Sequence, residues 1–246
     1  LTRSSAASDV YKRQELDMAT SGTNTFNLDI TEIMEEAYDL CGLDLRSGGD
    51  YNTAKRALDL IFLEWQNKGL NLWKVEQGSI TLTAGANLYD ADAAALEIVD
   101  VVLRTDAGDQ DEQFDQRLTR ISRTEYNHQA KKLLQSKPTQ YYVDKGLTLK
   151  IGVWATPDSA QTYTLIYDFI KKIEDAGTNA SLTTDVPARY LPCLTYALAF
   201  NIACKNEQSQ ARVPMIKARY DELWKEVSEA DRERASVKFV PNMNSY

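Results

Sequence analysis

Apolar residues recur at helical spacing through Ile30, Ile33, Met34, Ala37, Tyr38 and Cys41, which predicts a helix of about 12 residues with one buried face. Asp29 with Glu32 supplies a capping pair and Gly42 a stop. A second helix is expected after the Ser47-Gly48-Gly49-Asp50 turn, with Asp50 as N-cap and Gly69 at its C-terminal end. Ala54, Ala57, Leu58, Ile61, Phe62 and Trp65, with Leu60 and Leu63 beside them, fill more than one stripe. That pattern predicts a helix buried on two sides.

The period then shortens to two. Ile80 and Leu82 alternate with Ser79, Thr81 and Thr83, and Ala84-Gly85 suggests a turn. Residues 98–103 are rich in β-branched side chains. Further strands fit residues 140–143 and 147–151 around an Asp144-Lys145-Gly146 hairpin turn, and a last strand alternates Tyr163, Leu165, Tyr167 and Phe169. Between them, Ser122 and Glu125 form a capping box for a helix that Lys137-Pro138 is expected to end. This middle region reads as a mainly antiparallel sheet with one short helix.

Helical period returns after the polar loop at residues 174–184. Leu191, Leu194, Leu198 and Ile202 mark one face, Pro187 suits a helix start, and Pro192 must fall in the first turn or bend the helix. A final helix carries Ile216, Tyr220, Leu223, Trp224, Val227 and Ala230 on one side and charges on the others. The predicted class is therefore α+β: a helical bundle formed by N- and C-terminal helices, with an inserted mainly antiparallel β-domain. The expected divisions are residues 18–73 for the first helices, 74–173 for the inserted region, 174–236 for the last helices and 237–246 for a C-terminal arm. Residues 1–17 differ in character from the remainder of the chain and resemble adapter-derived sequence fused to an open reading frame. They are read as a non-native or disordered leader, with Met18 as the natural start.

A chain of 246 residues, 43% of them hydrophobic, buries enough surface to fold without disulfides. Its formal charge of −8 argues against a surface that neutralises many phosphates. Cys41, Cys193 and Cys204 are widely spaced within apolar helical patterns and read as reduced, buried thiols. The sequence has no apolar run long enough to span a membrane, so none is expected as a partner, and assembly in the cytoplasm is expected.

Candidate chemistry is sparse. The one histidine, His128, lies on the polar middle helix with no paired nucleophile. The glycines form neither a dinucleotide-binding fingerprint nor a P-loop, and no cofactor, metal or catalytic residue is expected. Gly48-Gly49 is read as a turn, with anion binding at a helix N-terminus as the alternative. Asp106, Asp109, Asp111, Glu112 and Asp115 fall in one stretch without a basic residue. The readings for it are a solvated loop, a calcium site lacking an EF-hand glycine, or an acidic surface that keeps DNA sliding through a channel. Trp65 and Trp224 fit the core, whereas Trp73 and Trp154 are candidates for a contact surface. Val237, Phe239 and Val240 form an apolar extension that either reaches a neighbouring subunit or portal, or packs back on its own core.

Two stretches carry a family resemblance. The first is Arg46-Ser47-Gly48-Gly49-Asp50 leading into AKRALDLIFLEWQNKGLNLW, residues 54–73. It resembles the N-terminal helices of phage adaptors that attach below the portal, often described as tail accessory factors. The second is VPARYLPCLTYALAFNIACK, residues 186–205, with KARYDELWKEVSEADRERA and a terminal FVPN after it. It resembles the C-terminal part of the short-tailed bacteriophage adaptors called tail tubular protein A. The resemblance implies a virion structural protein, not an enzyme. It would be a subunit of a head-to-tail connector ring of about twelve copies, placed between the portal and a nozzle or tail-tip protein, with DNA passing through during ejection. The alternative is another phage neck, head-completion or tail assembly protein of different stoichiometry. The β-region from residue 80 to 170 departs from the family pattern, so its partner stays open.

Overall fold

Asp29 accepts the amide of Glu32 at 2.8 Å and Glu32 accepts the amide of Asp29 at 2.9 Å, a reciprocal box that starts helix α1 (Ile30–Cys41) where the sequence placed it. Gly42 ends α1 in the left-handed conformation at φ 70°, with its own amide and that of Leu43 turned back onto the last-turn carbonyls. The computed structural model describes residues 26–69, 72–177 and 183–231. The leader and the C-terminal arm lie outside the described residues.

Helix α2 (Gly48–Lys68) starts three residues earlier than expected. Ser47, not Asp50, is its N-cap: the Ser47 hydroxyl accepts the Asp50 amide at 3.1 Å, and the Asp50 carboxylate accepts the Ser47 amide at 3.1 Å. The Ser-Gly-Gly-Asp stretch is itself a capping box, so both glycines belong to the first turn. The expectation that α2 is buried on two sides is also corrected. Ala54, Leu58, Ile61 and Trp65 are fully buried, but Leu60 is 63% exposed and Leu63 55%.

A short 3₁₀ turn (Leu72–Lys74) leads into the inserted region, which has eight strands in two sheets where the sequence suggested one. Strands β1 (Val75–Thr81), β8 (Tyr163–Lys171), β3 (Ala95–Thr105) and β4 (Phe114–Arg117) form the first sheet, in that spatial order. The second is ordered β2 (Leu88–Asp90), β7 (Leu149–Trp154), β6 (Gln140–Lys145) and β5 (Thr119–Arg120). All pairings are antiparallel except β5 with β6. Inward-facing Ile98, Val101, Leu103, Leu165 and Phe169 of the first sheet share one core with Tyr141, Leu149, Ile151 and Val153 of the second. Alternation along each strand supplies one apolar face per sheet, and the two faces close on each other.

Helix α3 (Arg123–His128) is shorter than expected. Its Ser122–Glu125 capping box is present, but the chain leaves the helix at Gln129, and Gln135 bridges to Thr156 well before Pro138. Two glycines permit close packing inside the sheets. A Cβ on Gly78 would overlap the ring of Tyr167, and one on Gly152 the ring of Tyr142, both cross-strand partners.

Pro187 is followed by a 3₁₀ turn (Ala188–Tyr190) and then helix α4 (Leu191–Lys205), with Pro192 tolerated in the first turn. A further 3₁₀ segment (Glu207–Arg212) leads into helix α5 (Val213–Ala230). Helix α4 is the centre of the bundle. Leu191, Leu194, Leu198 and Ile202 are at most 2% exposed and pack with α1, α2 and α5. Trp65 of α2 and Trp224 of α5 lie 5.8 Å apart in this core, and Lys68 sits 4.4 Å over the Trp224 ring. Arg212 donates to the Leu40 carbonyl at 3.1 Å and the Ser209 hydroxyl donates to the Cys41 carbonyl at 3.0 Å, so the α4–α5 connection ties down the C-terminal end of α1.

The bundle and the sandwich have separate cores joined at a seam. Lys74 is 6% exposed and pairs with Asp185, whose carboxylate also accepts the Glu174 amide at 3.4 Å. Asp59 of α2 accepts the Ala176 amide at 2.8 Å. A buried ammonium left without its partner is costly, whereas removing both charges is nearly neutral. Asp185→Ala is therefore expected to cost about 2–4 kcal/mol in urea unfolding, and Lys74→Met with Asp185→Leu less than half of that. Equal losses in the two variants would show that the seam is held by packing instead.

Candidate functional site

The acidic stretch forms the loop between β3 and β4. Asp106 stands at its first corner with φ 51°, the left-handed conformation that Asp tolerates better than most residues. Asp109 turns inward and accepts the amides of Asp111 at 2.9 Å and Glu112 at 3.3 Å. Asp115 is in β4, opposite Arg104 on β3, and the two form a bidentate pair at 2.8 and 2.7 Å. That guanidinium holds the Asp115 carboxyl below its usual range, chiefly by hydrogen bonding. The stretch has no basic residue in sequence, yet the sheet brings one to it. Two of the five acids are thereby engaged with the protein itself, which leaves Asp106, Asp111 and Glu112 at the rim. No group of three or more acidic, histidine or cysteine side chains suited to a metal ion occurs among the described residues.

The two candidate tryptophans sit in different settings. Trp73 is half-buried, packs against the bundle core and has its ring 4.9 Å from that of Tyr190, near the seam. Trp154 closes β7 and donates its indole N–H to the Lys131 carbonyl at 3.1 Å. Trp73 belongs with the bundle and Trp154 with the second sheet of the sandwich, and they do not form one surface. Val237, Phe239 and Val240 lie outside the described residues. His128 is solvent-exposed at the end of α3.

Sequence periodicity did not reveal the apolar groups that folding leaves at the surface. Leu60 and Leu63 face outward one turn apart on α2. Leu133, at 81% exposure, and Leu134 lie on the irregular segment after α3, and Phe114 opens β4. The signal was present as apolar positions outside the main stripe. A helix in a larger assembly buries such positions against a partner, which intrachain periodicity alone does not distinguish from a second core face.

The cysteines divide by burial. Cys193 and Cys41 lie in the bundle core, and desolvation pushes their thiols up to about 12 and about 11. The Cys41 thiol also donates to the Ala199 carbonyl at 3.2 Å. Cys204 is exposed, which corrects the expectation that all three are buried. A thiolate is the reactive form, so iodoacetamide at pH 8 is expected to modify Cys204 and leave Cys41 and Cys193 untouched, as read by peptide mass spectrometry. Both buried thiols bind their protons more tightly in the folded state than in the unfolded one. Their contribution to stability is thus complete below the ordinary cysteine value of 9.0 and is lost as pH rises towards 11 to 12. A Cys193→Ala variant should show a shallower alkaline fall in its urea midpoint than the parent.

No helix among the described residues is long and apolar enough to cross a membrane. No curated protein matches the chain. The family described as SU10 adaptor protein matches it over residues 28–242, a span that takes in the bundle, the seam and the sandwich.

Proposed function

The chain belongs to the SU10 adaptor protein family, and on that premise we propose that it is a bacteriophage virion structural protein, one subunit of the ring that connects head to tail. In this reading the ring docks below the portal, encloses a channel for DNA and offers a seat to the tail nozzle or tail-tip protein. The observation that carries it is the extent of the match, because the shared unit is the whole architecture and not a local motif. In this reading the role is structural and not enzymatic.

A closed ring of about twelve copies needs one surface patch on each subunit to meet a different patch on the next. The outward Leu60–Leu63 pair on α2 suits such a contact, since it is apolar, lies on a rigid helix and is not used by the subunit's own core. The formal charge of −8 suits a channel through which DNA passes without being read or held. Such a subunit is assembled in the host cytoplasm and ends in the virion at the head–tail junction.

Electron microscopy of the purified protein mixed with its cognate portal tests the reading. A ring with the portal's symmetry on the portal's narrow end is expected, and a protein that never associates with the portal would sink it. Leu60→Glu with Leu63→Glu is expected to abolish ring formation while changing subunit stability by no more than about 0.5 kcal/mol, because both positions are exposed. Unaltered rings from that variant would move the lateral contact to another surface.

A further inference from the structure

A groove of about 640 Å³ runs between α1 and α4. Its lining is largely apolar, with Leu28 and Leu40 from the α1 side and Leu191, Pro192 and Tyr196 from α4, beside the hydroxyl of Thr195. Four carboxylates of α1, Glu32, Glu35, Glu36 and Asp39, line one edge. Glu32 spends one oxygen on the α1 cap. No salt bridge among the described residues neutralises Glu35, Glu36 or Asp39.

We propose that this groove is the seat of the chain's own C-terminal segment, residues 232–242, folded back from the end of α5. Three observations converge on that occupant. The first is chemical. The segment carries Arg232, Arg234 and Lys238 against a single acid, Glu233, interleaved with Val237, Phe239, Val240 and Pro241. Cations beside apolar side chains are what an apolar trough with an acidic edge selects. The second is positional. Asp231, the last residue of the described C-terminal region, accepts at 3.4 Å from the hydroxyl of Tyr190, a buried residue at the N-terminal end of α4 that does not itself line the groove. From there the eleven residues of the segment, at roughly 3.3 Å each when extended, are long enough to pass round that end of α4 and run along the trough. The third is the family match, which begins at residue 28 in the groove wall and continues to residue 242, so groove and segment belong to the same shared unit. The stretch immediately before Phe26, residues 18–25, contains no cation and one large apolar residue, Met18, and the nearest cations on that side, Lys12 and Arg13, lie thirteen or more residues before Phe26.

The segment's apolar side chains would leave water and its cations would meet Glu35, Glu36 and Asp39 at the rim, where salt screens them. The docking is a property of the isolated subunit and stands or falls separately from ring formation.

Disulfide trapping in the full chain tests it. Leu40→Cys and Phe239→Cys are introduced together with Cys204→Ser, which removes the exposed native thiol. A control carries Leu63→Cys, on the outer face of α2, in place of Leu40→Cys. Under mild oxidation at micromolar protein, a within-chain link between positions 40 and 239, mapped by mass spectrometry, is expected to form at least several-fold faster than in the control. Adding Glu35→Lys and Glu36→Lys is expected to bring the rate down towards that of the control, with circular dichroism unchanged. Equal rates for both cysteine pairs would overturn the proposal, and so would links that form only between chains, which would assign the groove to a second copy.

Discussion

The antiparallel pairing of β1 with β8 is the constraint on which the rest of the molecule depends. Seven consecutive residues of β1, from Val75 to Thr81, face β8 from Ile170 to Thr164 without a break. The strand by which the chain leaves the bundle and the strand by which it returns are thus hydrogen-bonded neighbours. That pairing delivers Lys74 and Ile173 to the same place, so α2 and α4 can share a core although a whole sandwich separates them in sequence. The buried Lys74–Asp185 pair sits at this crossing. Such a pair contributes little net stability but penalises every arrangement that separates its members, so it fixes the alignment of the two cores.

On either side of the crossing the packing follows different rules. The bundle is organised by α4, whose small residues Ala197, Ala199 and Ala203 are buried and let the neighbouring helices approach closely. The sandwich is organised by tyrosines laid over glycines, Tyr167 on Gly78 and Tyr142 on Gly152, which bring large rings flat against a neighbouring strand. The ion pairs that cross between strands at the surface, Arg104–Asp115 and Lys171–Glu76, lie outside both cores and act mainly on register.

Much of this was legible in the sequence, for identifiable reasons. Helix α1 was readable from end to end because its cap, apolar stripe and terminal glycine agree. Strands β7 and β8 were readable because alternation persists over enough residues to define a face, and the middle of β3 because its run is rich in β-branched residues. The short strands β2, β4 and β5 were not, since two to four residues carry no period, and β4 and β5 are largely polar. Nor could alternation reveal two sheets, because it records that a face is buried and not what buries it. The start of α2 was misplaced because Ser47 and Asp50 are both good caps and only the backbone decides between them. At the candidate surfaces, the acidic residues were visible as a composition, while the partner that tempers them, Arg104, was hidden until the β3–β4 register placed it opposite Asp115. The α1–α4 groove needs two helices far apart in sequence and had no local signature.

The split bundle also has a kinetic meaning. Its two halves can meet only after a loop of about a hundred residues has closed, an entropic cost on the order of 4 kcal/mol for an unstructured chain. If the sandwich forms first, the β1–β8 ladder replaces that loop with a seam only a few ångströms wide, and closure has already been accomplished when α4 arrives. Synthesis runs in the same direction, since β8 leaves the ribosome before α4 and α5. In that order of events the inserted domain would act as an internal template for the bundle that carries it, and a lesion deep in the sandwich would slow the assembly of helices it never touches.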